Sequence, residues 1–166
     1  MPSPFDAVLL DRASALIKAY AARGEMVATA ESCTGGLVSA LLTEIAGSSS
    51  VVDRGFVTYS NEAKQAMLGV PEALLAAHGA VSEPVARAMA EGALAHSRAT
   101  VTVAITGIAG PGGGSADKPV GLVHFACARR GSETQAVERR FGDLGRTEVR
   151  RAALLCALDL FEGRLG

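Results

Sequence analysis

The apolar positions of this chain change repeatedly between helical and strand spacing. Near the start they recur every three or four residues, which predicts an amphipathic helix that ends near Arg23 and Gly24. The short apolar run MVATA then predicts a buried strand, and a second helix is predicted over residues 35 to 45. The run VVDRGFVTY predicts a second strand.

Three helices are predicted in the middle of the chain. Asn61 can cap a helix over Glu62 to Leu68, Pro71 suits the first position of a short helix, and Ser82 begins another. The run ATVTVAITG follows them. It is rich in β-branched residues and ends in glycine, which is typical of a central strand.

The last third of the chain predicts a hairpin and a closing helix. The segments VGLVHFACAR and TQAVERRF flank the turn RRGS, and apolar residues at helical spacing continue from Arg146 to Phe161. Strands that alternate with helices, followed by one hairpin, predict a three-layer α/β/α sandwich with a mixed, mostly parallel sheet of about five strands. We expect residues 1–166 to form a single domain.

Composition narrows the classes of function. Hydrophobic residues make up 49% of the chain but aromatic residues only 4%, so we expect an aliphatic core between closely packed helices. The net charge of −1, without a concentrated basic segment, argues against nucleic acid as a partner. No apolar stretch of about 20 residues predicts a membrane span. Cys33, Cys127 and Cys156 lie far apart without a disulfide or CxxC pattern, so we expect the reducing cytoplasm.

The segment TAESCTGG contains the first candidate for chemistry. Ser32 stands between a predicted strand and a predicted helix, followed by Thr34, Gly35 and Gly36. Free N–H groups at such a turn can stabilise an oxyanion, and glycine allows a substrate to approach closely, as in a nucleophile elbow. The alternative interpretation is that Ser32 or Thr34 only caps the helix.

Two neighbours of Ser32 have several possible roles. Cys33 is a rival nucleophile because a helix start lowers a thiol pKa, but a buried small hydrophobic side chain is the simpler interpretation. Glu31 is the carboxylate of this corner. It could orient a hydroxyl, accept a hydrogen bond from a sugar, or cap backbone amides.

A serine nucleophile needs a base, and the sequence offers a lysine. His78, His96 and His124 fit neither a triad nor a metal site by their spacing, so we interpret them as surface or core residues. In TYSNEAK, Lys64 falls in the first turn of a helix, where the helix dipole helps to lower the pKa of its amine. Tyr59 could relay a proton or hydrogen-bond the nucleophile, and the alternative for Lys64 is a solvated side chain.

The loop TGIAGPGGG follows the predicted central strand. Its consecutive N–H groups could bind a phosphate, although a flexible connector is the alternative. Thr106 at the end of the strand is a candidate hydrogen-bond donor. Arg146 or Arg150 could supply a positive charge for a phosphate.

Taken in order, four motifs resemble a known family: AESCTGG, GFVTYSNEAKQAMLGV, HGAVSEPVARAMAEGA and ITGIAGPGGG. They are similar to the CinA C-terminal domain family, which includes stand-alone nicotinamide mononucleotide deamidases. The resemblance spans nearly the whole chain. It implies a three-layer α/β fold, a homodimer or higher homo-oligomer, and hydrolysis of nicotinamide mononucleotide to the nicotinate form with release of ammonia.

The resemblance also assigns roles to residues. It implies Ser32 as the nucleophile with assistance from Tyr59 and Lys64, the same set that the chemistry selects. The residues expected to bind the substrate are Glu31, Cys33, Thr34, Gly35, Gly36, Thr106, Gly107, Gly110, Arg146 and Arg150. Family members often have a compact GDR before the last helix, whereas this chain has GDLGRTEVR, so Arg150 competes with Arg146.

The leading hypothesis is an amidase that needs neither a metal nor a cofactor and acts on a small nucleotide. A second hypothesis is a catalytically silent module that binds a nucleotide or a partner and is linked to competence or DNA damage, as the family's name suggests. The presence of Ser32, Tyr59 and Lys64 argues against it, since binding alone does not need all three. A third is hydrolysis of another pyridine nucleotide or amide-bearing nucleotide.

Overall fold

Five strands form one mixed sheet in the computed structural model, which describes residues 1–166. They are β1 (Val27–Glu31), β2 (Val52–Val57), β3 (Val101–Gly107), β4 (Leu122–Arg129) and β5 (Gln135–Arg140). Their order across the sheet is β2-β1-β3-β4-β5. The first three run parallel, whereas β4 pairs antiparallel with both β3 and β5. The mixed five-stranded sheet and its terminal hairpin are therefore confirmed.

Six helices cover the two faces of this sheet. They are α1 (Ala7–Arg23), α2 (Leu37–Thr43), α3 (Asn61–Leu68), α4 (Glu72–His78), α5 (Glu83–Ala95) and α6 (Arg146–Glu162), with a 3₁₀ turn at Ser48–Ser50. Helices α1, α2 and α6 pack on one face, and α3, α4 and α5 pack on the other. This arrangement is the predicted three-layer sandwich. None of the helices is both long and apolar enough to cross a bilayer.

The two faces are packed with side chains of different size. The core under α1 and α6 contains the large rings of Tyr20, Phe125 and Phe161, whereas the core under α5 is rich in alanine. Gly92 of α5 extends this close packing to α3. A Cβ at Gly92 would lie 2.1 Å from the carbonyl oxygen of Leu68, the last residue of α3. The missing side chain therefore allows α3 to lie directly against α5.

Two predicted helix starts differ from the structure. Ser60, and not Asn61, caps α3, and its Oγ accepts a hydrogen bond from the N–H of Ala63 at 3.0 Å. Helix α2 begins at Leu37, two residues later than predicted, because Gly35 and Gly36 have φ angles of 57° and 101°. This left-handed backbone is easily adopted by glycine and cannot be part of a right-handed helix.

Candidate functional site

Ser32 follows β1 directly and continues its pairing with β3. Its N–H donates to the carbonyl oxygen of Ile105 at 2.9 Å, so the pairing extends one residue beyond the strand. Side chains alternate between the faces of a sheet, and Ala30 belongs to the core under α5. Ser32 therefore points toward α3 and α5, where it is 9% exposed at the wall of a cavity.

Lys64 reaches Ser32 from the middle of α3. Its Nζ lies 3.0 Å from Oγ of Ser32 and donates to the carbonyl oxygen of Thr58 at 2.9 Å. Lys64 is 1% exposed, and no carboxylate forms an ion pair with it. Burial lowers the pKa of this amine, because the ammonium form loses its hydration. An amine of lowered pKa beside a hydroxyl can act as a general base toward it.

Glu31 precedes Ser32 but lies on the opposite face of the sheet, fully buried. Its Oε1 accepts from Oγ1 of Thr34 at 2.8 Å and from the N–H of Val38 at 2.9 Å. Its Oε2 accepts from Oγ1 of Thr29 at 3.0 Å and from both N–H and Oγ of Ser39 at 3.0 and 2.9 Å. Of the roles left open, the structure shows two, namely capping of backbone amides and orientation of hydroxyls within the protein.

This network corrects two sequence-based expectations. Neither Glu31 nor Thr34 lines the cavity, so their side chains do not reach a substrate there. Capping by Ser32 or Thr34 is also wrong, because the carboxylate of Glu31 takes the N–H groups of α2 and Thr34 donates to that same carboxylate. The hydroxyl of Ser32 is thereby free of a structural task in the helix start.

Cys33 is almost fully buried, at 6% exposure, and packs into the core under α1 and α6. Burial raises the pKa of its thiol to about 12. The thiolate is the reactive form of cysteine, so this side chain is unreactive at neutral pH. The structure thus gives Cys33 the place of a small buried hydrophobic residue, with only part of it at the cavity wall.

The turn after β1 leaves backbone N–H groups unused. Those of Cys33 and Thr34 donate to no oxygen of the chain, whereas the N–H of Gly35 donates to the carbonyl oxygen of Ser32 at 3.0 Å. Gly35 and Gly36 do not line the cavity. Their contribution is the left-handed backbone that bends the chain from β1 into α2 and so orients these N–H groups.

The cavity beside Ser32 has a volume of about 270 Å³. It brings together the three predicted catalytic residues, Ser32, Tyr59 and Lys64. Among the residues predicted to bind substrate, those that line it are Cys33, Thr106, Gly107, Gly110 and Arg146. The loops after β1, β2 and β3 therefore meet at one edge of the sheet, as parallel strands require.

Arg146 joins three segments at the rim of the cavity. Its Nη2 donates to the hydroxyl of Tyr59 at 2.9 Å and its Nη1 donates to the carbonyl oxygen of Gly110 at 2.8 Å. Tyr59 is 63% exposed, so its ring lies at the cavity mouth rather than in the interior. One guanidinium therefore holds together three segments, which are the start of α6, the loop after β2 and the glycine-rich loop.

Arg150 lies one turn further along α6 and does not line the cavity. Its Nη2 donates to the carbonyl oxygen of Thr34 at 3.2 Å and would lie 3.4 Å from a Cβ at Gly35. Its Nε is buried without a partner in the chain. Arg150 thus braces the turn from behind, which corrects the expectation that it binds substrate in the cavity.

Close packing requires the glycines at the end of β3 and in the loop that follows it. A Cβ at Gly107 would lie 2.7 Å from Cγ2 of Val123, and a Cβ at Gly110 would lie 2.7 Å from Cγ1 of Val120. Thr106 was predicted to donate a hydrogen bond to a substrate. Instead its Oγ1 donates to the carbonyl oxygen of Ala80 at 2.8 Å, so that prediction needs correction.

Part of the cavity lining was not predicted from the sequence. Asn61, Ala80 and Val81 face the cavity, and none of them was predicted to bind substrate. All three lie inside motifs used for the family resemblance, so position within a motif was the available signal. None of the three histidines lines the cavity.

A family model described as the CinA C-terminal domain matches residues 10–165. The CinA-like protein of Anaeromyxobacter dehalogenans (strain 2CP-C) is 59% identical over 146 residues, which cover 87% of this chain and 35% of that protein. The chain thus spans about a third of the length of such curated relatives. Nicotinamide-nucleotide amidohydrolase PncC of Escherichia coli (strain K12) is 54% identical over 155 residues, 93% of each chain.

Solved structures show the same fold. The competence/damage inducible protein CihA from Agrobacterium tumefaciens has a TM-score of 0.96 at 54% identity and covers 98% of both chains. A CinA superfamily protein from Klebsiella pneumoniae 700603 has a TM-score of 0.89 at 36% identity, with 95% of this chain and 97% of that chain covered.

Proposed function

We propose that this chain, which belongs to the CinA C-terminal domain family, is an amidohydrolase that converts nicotinamide mononucleotide to nicotinate mononucleotide and ammonia. The observation that carries the proposal is the 3.0 Å contact between Oγ of Ser32 and the buried Nζ of Lys64. The substrate is suggested by the name of the Escherichia coli relative, which is similar over nearly its whole length.

In this mechanism Lys64 acts in its neutral form. A neutral amine has two N–H groups and one lone pair. One N–H stays on the carbonyl oxygen of Thr58, which orients Nζ, and the lone pair accepts the proton of Ser32. Oγ of Ser32 then attacks the carbon of the carboxamide and forms a tetrahedral intermediate.

The unused N–H group of Cys33, which lines the cavity, is the donor that we assign to the oxyanion of this intermediate. The ammonium of Lys64 returns its proton to the amide nitrogen, which leaves as ammonia and gives an acyl-enzyme on Ser32. Lys64, neutral again, takes a proton from water, and the resulting hydroxide attacks the acyl carbon. Collapse of the second intermediate releases the carboxylate product and restores the hydroxyl of Ser32.

Arg146 is the residue that we assign to the phosphate of the substrate, in preference to Arg150. It is supported by its position at the cavity mouth, where Tyr59 accepts one of its N–H groups. Its planar set of N–H donors suits a phosphate. Tyr59, fixed by Arg146, would assist by binding the substrate at the rim.

We also propose a homo-oligomer in the cytoplasm. The oligomer is supported by the sequence motifs that resemble the CinA C-terminal domain family. The compartment is supported by three cysteines that are all free and buried. Sedimentation analysis of the purified chain measures the oligomeric state directly.

The decisive experiment measures ammonia release from nicotinamide mononucleotide by the purified chain and by Ser32→Ala. We expect turnover by the wild type and a loss of about 10³-fold or more in Ser32→Ala, since the nucleophile is removed. Ser48→Ala is a matched control, because Ser48 is a buried serine outside the cavity. Cys33→Ala tests the rival nucleophile while its backbone N–H remains.

The outcomes separate the hypotheses. Full turnover by folded Ser32→Ala would refute the serine mechanism. Binding of the nucleotide without turnover by the wild type would favour the silent binding module, and turnover of another amide-bearing nucleotide alone would change the substrate but keep the chemistry.

A further inference from the structure

Thr106 lies beside Ser32 on the neighbouring strand. Glu31 pairs with Ile105 across β1 and β3, and the hydrogen bond from Ser32 to Ile105 continues that register by one residue. Alternation along β3 places Thr106 on the same face as Ala104, which belongs to the core under α5. Its side chain therefore meets the cavity next to the nucleophile, with 1% of its surface exposed.

The hydroxyl proton of Thr106 has a fixed direction. Oγ1 lies 2.8 Å from the carbonyl oxygen of Ala80. A carbonyl oxygen can only accept, so the hydroxyl must donate to it. What Thr106 can offer to a bound molecule is then a lone pair and not a proton.

The acceptor of this proton is itself held in place. Oγ of Ser82 donates to the carbonyl oxygen of Gly79 at 2.8 Å, and Nζ of Lys118 donates to that of His78 at 2.6 Å. These two bonds fix the segment on either side of Ala80. Rotation of the Thr106 hydroxyl toward the cavity would leave the carbonyl of Ala80 without this buried bond, which is costly.

We propose that Thr106 makes the site selective for a carboxamide over the corresponding carboxylate, by accepting a hydrogen bond from the amide NH₂ group. This inference rests on the proposed function and names the part of the substrate that the site recognises. An amide carries two N–H donors, whereas a carboxylate carries only acceptors. A carboxylate oxygen at the same place would be repelled by Oγ1 of Thr106, because both atoms would present lone pairs and neither a proton.

The geometry gives each atom of the carboxamide a partner. With the carbon in front of Ser32, we assign the oxygen to the N–H group of Cys33 and the nitrogen to Thr106, since both residues line the cavity beside Ser32. After hydrolysis an oxygen replaces that nitrogen, and the contact with Thr106 changes from attractive to repulsive. The same residue would therefore favour binding of the substrate and release of the product.

The test measures binding of nicotinamide mononucleotide and nicotinate mononucleotide by calorimetry in a Ser32→Ala background, where no turnover occurs. We expect the amide to bind more tightly than the acid. Thr106→Val removes the acceptor and should reduce the ratio of the two affinities about tenfold, chiefly by weakening the amide, as expected for one hydrogen bond. Thr106→Ser keeps the hydroxyl and should preserve the ratio.

The test uses the ratio of the two affinities because a purely structural effect of the Thr106 substitution would weaken the binding of both nucleotides alike. If Thr106→Val does not fold by circular dichroism, Thr106→Ala provides the same comparison. An unchanged ratio in the folded variant would overturn the role of Thr106 and leave the proposed function standing. Failure of the Ser32→Ala parent to bind either nucleotide would overturn the proposed substrate, and the Thr106 proposal with it.

Discussion

Glu31 and Ser32 are adjacent residues, yet they lie in two regions of opposite character on the two faces of the sheet. The oxygens of Glu31 accept hydrogen bonds from three side-chain hydroxyls and two backbone N–H groups, all within the protein. Ser32 meets a single amine, and that amine has no opposite charge beside it. The carboxylate of Glu31 uses its hydrogen-bonding capacity within the protein, whereas the hydroxyl of Ser32 remains available to a molecule in the cavity.

The difference explains why the less polar side chain is the candidate for chemistry. A carboxylate that accepts hydrogen bonds from five donors of the protein has no capacity left for a substrate. Lys64 is buried without an anion, so the pKa of its amine is lowered and it is the candidate proton acceptor. On one face of the sheet, Glu31 fixes the turn between β1 and α2. On the other face, Ser32 and Lys64 keep hydrogen-bonding capacity for a bound molecule.

Among the changes that test this comparison, Lys64→Met should have the largest effect on activity. Methionine fills the buried space without a base, so we expect kcat to fall by about 10²–10⁴-fold. The melting temperature should change little, because removal of a poorly solvated amine from the interior offsets the lost hydrogen bond to the carbonyl oxygen of Thr58. Ammonia release and thermal unfolding measure the two effects.

Exposed Lys18 provides the control, since Lys18→Met should change neither quantity. Retained activity in folded Lys64→Met would contradict the assignment of the base.

A change of pH should produce the next largest effect. On the acidic limb of the pH profile, kcat/KM should change about tenfold per pH unit. Protonated Lys64 cannot accept the proton of Ser32, so kcat/KM should rise with pH. It should then level off below the ordinary lysine pKa of about 10.4, because burial lowers the pKa of Lys64. A rate that still rises tenfold per unit beyond pH 10.4 would instead indicate Cys33, whose thiol pKa is raised to about 12.

Glu31→Gln should have the smallest effect on catalysis and a clear effect on stability. The amide NH₂ would oppose the donors that now meet one carboxylate oxygen, which should lower the free energy of unfolding by about 1–3 kcal/mol. Activity should fall only several-fold, because the cavity is untouched. Urea unfolding and ammonia release are the two measurements.

Glu62→Gln is the matched control for this change, since Glu62 is exposed in the first turn of α3. A loss of activity as large as that of Lys64→Met, without a loss of stability, would show that Glu31 acts in the chemistry.

The sequence determined the order of elements and the candidates for the reactive side chains. Apolar periodicity predicted the strands and helices, and the motifs TAESCTGG and TYSNEAK pointed to Ser32, Tyr59 and Lys64, which line one cavity. These features are local. Spacing of apolar residues and turn chemistry act over a few positions, so they can be read along the chain.

Only the tertiary structure decided how each polar group is used. The sequence left open whether Glu31 binds a sugar or caps a helix, predicted Thr106 as a donor, and could not choose between Arg146 and Arg150. For Thr106 and Arg146 the partner lies distant along the chain, at the carbonyl of Ala80 for Thr106 and that of Gly110 for Arg146. A hydrogen-bonding group has few bonds to make, and only folding determines which of them remain for a ligand.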